Sequence, residues 1–344
     1  MCGILGQINF EHRSDWNQEL FSRALSLQKH RGPDGSGINV GSKYIFGHRR
    51  LSIIDLDKRA NQPMTSFDES VILVFNGEIY NYKELRDNLT KEGYRFKTKS
   101  DSEVLLYSYY EKGINCIDEF IGMFSFAIFD KRINKSFIVR DRLGIKPLYY
   151  NFNDNCLTFS SEVKSILKLS DQERKMNLNA ISSYLSFRYP ILDDTFFQGI
   201  KSLPPGHYIE LSENSLSINE YWNLSEKFKQ QKNDRGEAFY IEGIRELLES
   251  AVKYRMLSDV PFGSFLSGGV DSSIITALMS IASDDPIKTF ITGFDEEGFN
   301  EFEYADLISK KFKNDHHEIP VNRDDYFQKM DDLIGFKDAP LSVP

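Results

Sequence analysis

Residues Glu226–Glu237 read EKFKQQKNDRGE, with Phe228 the one large apolar side chain in the stretch. A segment so poor in apolar residues cannot supply a core, so the chain must fold separately on either side of it. With 344 residues in all, it has room to bury two cores.

On the N-terminal side strands and helices alternate. Val71–Phe75 (VILVF) runs into the turn residues Asn76-Gly77, and Phe124–Phe129 (FSFAIF) reads as a second buried strand. Ser136–Val139 and Pro147–Phe152 read as further strands, with Arg140–Gly144 turning between them. Helices are expected at Trp16–Lys29, where Leu20, Ala24 and Leu27 share a face, at Lys83–Glu92 and at Glu103–Lys112. Gly93 and Gly113 follow the last two, where helices commonly stop.

Past the charged stretch the pattern changes. A helix at Phe239–Leu257 precedes the apolar run Pro261–Leu266, a glycine-rich turn and a helix from about Ser272. A strand at Ile287–Phe294, a helix at Glu301–Phe312, a strand near His316–Val321 and a helix from Asp325 follow. That alternation predicts an open parallel sheet with crossover helices.

Several function classes drop out. A net charge of -9, with no dense Lys/Arg run, disfavours a nucleic-acid partner. No stretch approaches the roughly 20 apolar residues of a membrane span. Glu11 and Asp15 interrupt any secretory segment, and Cys2, Cys116 and Cys156 form neither an even framework nor a CxxC pair. The expectation is a cytoplasmic protein with no membrane partner. Cys116 and Cys156, in apolar surroundings, read as inert core thiols.

Met1-Cys2-Gly3-Ile4 is the most informative tetrapeptide. Cysteine is small enough for the initiator methionine to be removed, leaving Cys2 with a free α-amine. That amine has a reference pKa of about 7.7–8.0, poised to act as base for the thiol of its own residue. Polar clusters at the edges of apolar segments accompany it: Arg31–Gly35 (RGPDG), His48–Ile53 (HRRLSI), Asn76-Gly77-Glu78 and Ser100–Glu103 (SDSE). Capturing an amino acid amide needs a cation for its carboxylate, an acid for its ammonium and donors for an oxyanion. Arg50, Asp101 and Asn76-Gly77 could supply them, although singly Asn76-Gly77 reads as a turn and Asp101 as a helix N-cap.

Together these clusters resemble the class II glutamine amidotransferase domains, which are N-terminal-nucleophile hydrolases. The resemblance continues through Arg140–Tyr149 (RDRLGIKPLY), Ser160–Val163 (SSEV) and Leu203–Tyr208 (LPPGHY). It implies that Cys2 attacks the glutamine amide to give a glutamyl thioester and ammonia. By the same resemblance Arg50 binds the substrate carboxylate, Asn76 and Gly77 form the oxyanion hole, and Glu78 and Asp101 hold the substrate amine. Arg49 is left unassigned.

In the second half, Ser267–Ser273 (SGGVDSS) follows Leu266 and opens a helix. Two glycines admit an anion to the backbone, the helix start adds N–H donors, Ser267, Ser272 and Ser273 add hydroxyls, and Asp271 could hold Mg2+. With no following Lys, it is not a Walker A loop. It is similar to the pyrophosphate loop of the N-type ATP pyrophosphatases. That likeness implies ATP bound by Leu266, Ser267, Gly268, Gly269, Val270, Asp271, Ser272 and Thr292, with Mg2+ on Asp271. His316 and His317, adjacent on a strand, point to opposite faces and do not suggest a metal pair.

A cysteine glutaminase followed by SGGVDSS resembles the glutamine-hydrolysing asparagine synthetase family. The fold it implies is an α+β N-terminal domain, the αββα sandwich of N-terminal-nucleophile hydrolases, at 1–210. A connecting segment at 211–237 leads to the first part of an α/β parallel-sheet ATP-pyrophosphatase domain at 238–344. The implied substrates are glutamine, aspartate and ATP. β-Aspartyl-AMP is formed with release of pyrophosphate, and ammonia then converts it to asparagine; a homodimer is a candidate assembly. Family members continue further, so the sequence is expected to be part of a longer protein. The alternative is an amidotransferase of the same architecture acting on another carboxylate, such as a uronic acid.

Overall fold

The computed structural model describes residues 1–10, 15–170, 174–213, 215–229, 233–294 and 300–341. The chain divides into two units, Met1–Gln230 with Lys337–Pro344, and Gln231–Phe336. The charged stretch Glu226–Glu237 holds this division, although its residues 230–232 lie outside the described ones.

The first unit opens with β1 (Gly3–Asn9), α1 (Gln18–Ser26), β2 (Gly35–Val40), β3 (Tyr44–Arg50), β4 (Met64–Thr65) and β5 (Val71–Ile79). Helices α2 (Tyr82–Lys91) and α3 (Asp101–Lys112) lead to β6 (Gly122–Asp130), β7 (Lys135–Arg140), β8 (Tyr149–Asn153) and β9 (Cys156–Ser160). It continues with α4 (Val163–Leu169), α5 (Leu178–Phe187), β10 (Lys201–Ser202), β11 (His207–Ser212), β12 (Ser215–Glu220) and α6 (Leu224–Lys229). The strands form two six-stranded sheets, β10-β8-β9-β1-β3-β2 and β12-β11-β7-β6-β5-β4, with antiparallel neighbours throughout.

The continuous run VILVF follows from burial on both faces. Val71, Leu73 and Phe75 point to a core shared with Leu85 and Leu89 of α2 and Val104 to Tyr107 of α3. Ile72 and Val74 point the other way and meet Ile4, Ile8, Phe46 and Phe159 of the opposite sheet. On that sheet's far side, Leu5 and Ile45 pack against Phe21, Ala24 and Leu25 of α1. The layers are therefore helix, sheet, sheet, helix.

Two expectations need correcting. Asn76-Gly77 is not a turn: β5 continues through both, pairing Asn76 with Ser125 and Gly77 with Phe124. Asp101 is not the cap of α3, because Ser100 is, its side chain accepting from the Glu103 N–H. This leaves the Asp101 carboxylate to other work. Helix α1 is also shorter than expected and starts after Asn17, whose side chain accepts from Leu20 N at 2.9 Å.

The second unit carries α7 (Glu237–Arg255), β13 (Gly263–Phe265), α8 (Val270–Ala282), β14 (Lys288–Phe294), α9 (Phe302–Phe312), β15 (Asp315–Val321) and α10 (Arg323–Lys337). Its sheet is parallel, in the order β13-β14-β15. Helix α8 begins at Val270, ahead of the expected Ser272, because Gly269 takes the N-cap position. Among the described residues no helix is long and apolar enough to cross a membrane.

Candidate active site

Strand register assembles the first unit's cleft. Antiparallel pairing of Gly3 with Arg49 brings Cys2, just before β1, level with Arg50 at the end of β3. Side chains alternate along a strand, so Arg50 turns into the cleft and Arg49 away from it. On β5, Asn76 shares the inter-sheet face of Ile72 and Val74, at the point where the apolar layer stops. The result is a cleft of about 150 Å³ whose wall includes Cys2, Arg50, Asn76, Gly77, Glu78 and Asp101. All six residues implied by the resemblance to the amidotransferases meet there.

Asn76 is fully buried, and neither its Oδ1 nor its Nδ2 has a hydrogen-bond partner among the described residues. A buried amide left unsatisfied on both atoms costs on the order of 1–3 kcal/mol per group, a cost that a bound ligand or water would remove. Gly77 is required sterically: a Cβ there would lie 2.3 Å from Met123 O on β6.

Asp101 Oδ2 accepts from Ile79 N at 3.0 Å. Burial pushes its carboxyl up to about 7; the Ile79 bond opposes the rise and the Glu78 charge adds to it. Arg50 donates through Nη1 to Asp57 O (2.8 Å) and Asn61 Oδ1 (2.9 Å), and through Nη2 to Ile54 O (3.3 Å) and Asp55 O. Four of its five N–H groups thus brace the loop after β3, leaving Nε–H.

Cys2 Sγ accepts from Leu51 N at 3.4 Å and donates to Leu51 O at 3.6 Å. Burial pushes the thiol up, and the Leu51 N–H partly opposes it. Arg31 Nε donates to Cys2 O at 2.9 Å, and its Nη1 pairs with Glu162 at 3.2 Å. His48 is no candidate base. It is fully buried, its Nε2–H binds Phe75 O at 3.0 Å, and burial pushes its pKa down to about 3.

Arg31 and Lys146 lie in segments that carry the resemblance, RGPDG and RDRLGIKPLY, but neither has a role assigned from the sequence. Lys146 is buried and borders the cleft. Both come from loops whose closure onto Cys2 no local pattern reports. Cys116 and Cys156 are buried, Cys116 completely.

In the second unit, Gly268 has φ 79°, and a Cβ there would meet Tyr304 Cβ at 2.4 Å. Ser267 Oγ lies 3.1 Å from Ser272 Oγ, which also donates to Gly269 O at 3.2 Å. Ser273 Oγ is buried and has no hydrogen-bond partner among the described residues. Asp271 sits exposed in the first turn of α8, and Val270 is exposed beside it. Leu266 turns its side chain into a core with Ile291 and Ala305, so only its backbone could meet a ligand, while Thr292 is exposed on β14. A helix start with spare donors and an unsatisfied hydroxyl fits a polyphosphate. No cluster of three or more His, Cys, Asp or Glu among the described residues could hold a metal. Asp271, exposed in the first turn of α8, offers a carboxylate of the kind Mg2+ takes. His316 bonds Thr289 Oγ1 at 2.8 Å, while His317 stacks on Phe290 at 5.1 Å.

Residues 1–222 match the family described as a glutamine amidotransferase domain, and residues 243–344 match the one described as asparagine synthase. The first match spans the two-sheet sandwich and its cleft. Asparagine synthetase [glutamine-hydrolyzing] 3 of Bacillus subtilis (strain 168) is 31% identical over 99% of this chain and 57% of its own length. Asparagine synthetase [glutamine-hydrolyzing] 1 of the same organism is 33% identical over 100% and 54%. A Methanocaldococcus jannaschii relative, provisionally named as the same kind of synthetase, is 35% identical over 99% and 69%. The chain belongs to the glutamine-hydrolysing asparagine synthetase family. It spans little more than half the length of the two Bacillus relatives. A solved glutamine phosphoribosylpyrophosphate amidotransferase from B. subtilis matches 92% of this chain and 65% of its own at 14% identity and a TM-score of 0.47, too distant to add to the assignment.

Proposed function

We propose that the first unit is a glutaminase and the second the ATP-binding part of an asparagine synthetase. The observation that carries the glutaminase reading is Asn76, whose amide is buried in the cleft beside Cys2 with no hydrogen-bond partner among the described residues. With Met1 removed, the Cys2 amine takes the thiol proton as sulfur attacks the glutamine δ-carbon. Asn76 Nδ2 and the Gly77 N–H stabilise the oxyanion. The ammonium so formed returns its proton to the leaving nitrogen, the C–N bond breaks, ammonia departs and a thioester remains. Water then cleaves the thioester to glutamate. Arg50 binds the substrate carboxylate, and Glu78 and Asp101 its ammonium.

In the second unit, residues Leu266–Ser272 and Thr292 bind ATP. Asp271 would hold Mg2+, whose positive charge would help pyrophosphate leave. Aspartate is activated as β-aspartyl-AMP, which ammonia converts to asparagine. The names of the relatives support aspartate over another carboxylate. In the longer protein, aspartate, ATP and glutamine should give asparagine and pyrophosphate. Asp271→Asn should lower pyrophosphate release at least about a hundredfold while glutamine hydrolysis persists. Normal pyrophosphate release by that variant would remove Asp271 from the site, and synthesis with a uronic acid but not aspartate would replace the acceptor.

A further inference from the structure

The Arg140–Tyr149 segment has no part in this scheme, yet its backbone is held at many points. The buried Asp141 carboxylate accepts from the N–H groups of Phe124 (3.2 Å), Leu143 (3.1 Å), Ile145 (2.9 Å) and Lys146 (2.9 Å). Arg140 clamps the same loop, donating to Lys146 O at 2.9 Å and Gly144 O at 2.8 Å, and tying it to Leu203 O at 2.6 Å. Gly144 has φ 66°, and a Cβ there would lie 2.8 Å from Pro205 Cγ.

This framework delivers Lys146 to the cleft. The residue is 4% exposed, and its Nζ makes no hydrogen bond or ion pair among the described residues. Burial pushes its pKa down while the charges of Glu78 and Cys2 oppose the fall; a cation held at a cleft wall marks a functional position more often than a structural one. The charges around it and Cys2 come from Arg31 after α1, Arg50 on β3, Glu78 on β5, Asp101 on α3 and Asp141 in its own loop. Of the two carboxyls on the cleft wall, Asp101 opposes a thiolate at Cys2 directly.

We propose that Lys146 is a positioning residue for the nucleophile, its positive charge favouring the Cys2 thiolate and the neutral α-amine together. One cation does both, because it attracts an anion and repels a second cation. Burial lowers the pKa of the N-terminal amine, here on Met1; the Cys2 charge opposes this, and Lys146 and Arg31 lower it further. This inference rests on the glutaminase reading and concerns how its nucleophile is prepared.

The test uses the 344-residue chain with Met1 removal verified by mass, alongside Lys146→Met, Lys146→Gln and Lys146→Arg. Two quantities are followed against pH: kcat/KM for glutamine hydrolysis, and the rate of Cys2 alkylation by iodoacetamide. Both neutral variants should move the rising limbs up by about one pH unit and lower neutral-pH kcat/KM about tenfold, with KM changed less than about twofold. Lys146→Arg should keep most of the wild-type profile. Unmoved limbs in the neutral variants would overturn the proposal, as would a raised KM at unchanged kcat, which would make Lys146 a substrate ligand. Cys2→Ser separates the two readings. If its hydrolysis falls to background while the limbs of the neutral variants stay put, only the role of Lys146 falls; if it keeps the wild-type rate, Cys2 is not the nucleophile and the reading on which this inference rests falls with it.

Discussion

Asp101 is a carboxyl that burial holds near its switching point, at about 7. An ammonium group binds its ionised form, so below that pH a proton must leave before glutamine is held. The glutamine KM should therefore be flat above about pH 7 and rise up to about tenfold per unit below it. Asp101→Asn should raise KM at every pH and abolish the slope; a wild-type KM unchanged across the range would contradict this role. Which residues gather in the cleft followed from the resemblance to the amidotransferases, while the pattern of polar clusters ending apolar segments placed them only at element edges. How each is held was not legible in the sequence. The choice between Arg49 and Arg50 depends on the pleat of β3, and the bracing of Arg50 by Ile54, Asp55, Asp57 and Asn61 depends on how the following loop folds back.

Strand β5 shows where local signals compete with long-range pairing. Asn-Gly is a strong turn signal, but here pairing with β6 along nine residues overrides it. The glycine is needed for close approach to Met123 O and not for a turn. Gly77→Ala should destabilise the first unit by about 2–4 kcal/mol, read as a lower urea midpoint; an unchanged midpoint would mean that β5 and β6 can part without cost. Strand β1 escaped sequence reading for a related reason. Gly3 and Gly6 break its apolar run, yet it is a central strand, and a Cβ at Gly6 would lie 2.3 Å from the Phe159 ring. Helices α2, α3, α7 and α9 were legible within a few residues, α2 and α3 with the help of the stop glycines Gly93 and Gly113.

At the scale of the whole molecule the two units differ in how much they bury. The first has cores on both sides of each sheet. In the second, the 19-residue α7 buries only Val252, and α10 buries nothing. Limited proteolysis with trypsin or chymotrypsin should cut within Gln231–Phe336 first and leave a resistant N-terminal piece. First cuts between Gly3 and Ser212 would contradict the difference. The charged stretch made the division into two visible in the sequence, whereas the unequal burial depends on packing that composition does not report.

The central claim is that the cleft at the end of the sandwich hydrolyses glutamine with Cys2. The most direct measurement is glutamate release from glutamine by the purified 344-residue chain after removal of Met1, beside Cys2→Ala. The wild type should turn over, and the variant should fall at least about a thousandfold while keeping its urea midpoint. Equal rates in the two proteins, or no turnover by a wild type whose Cys2 is free and processed, would contradict it.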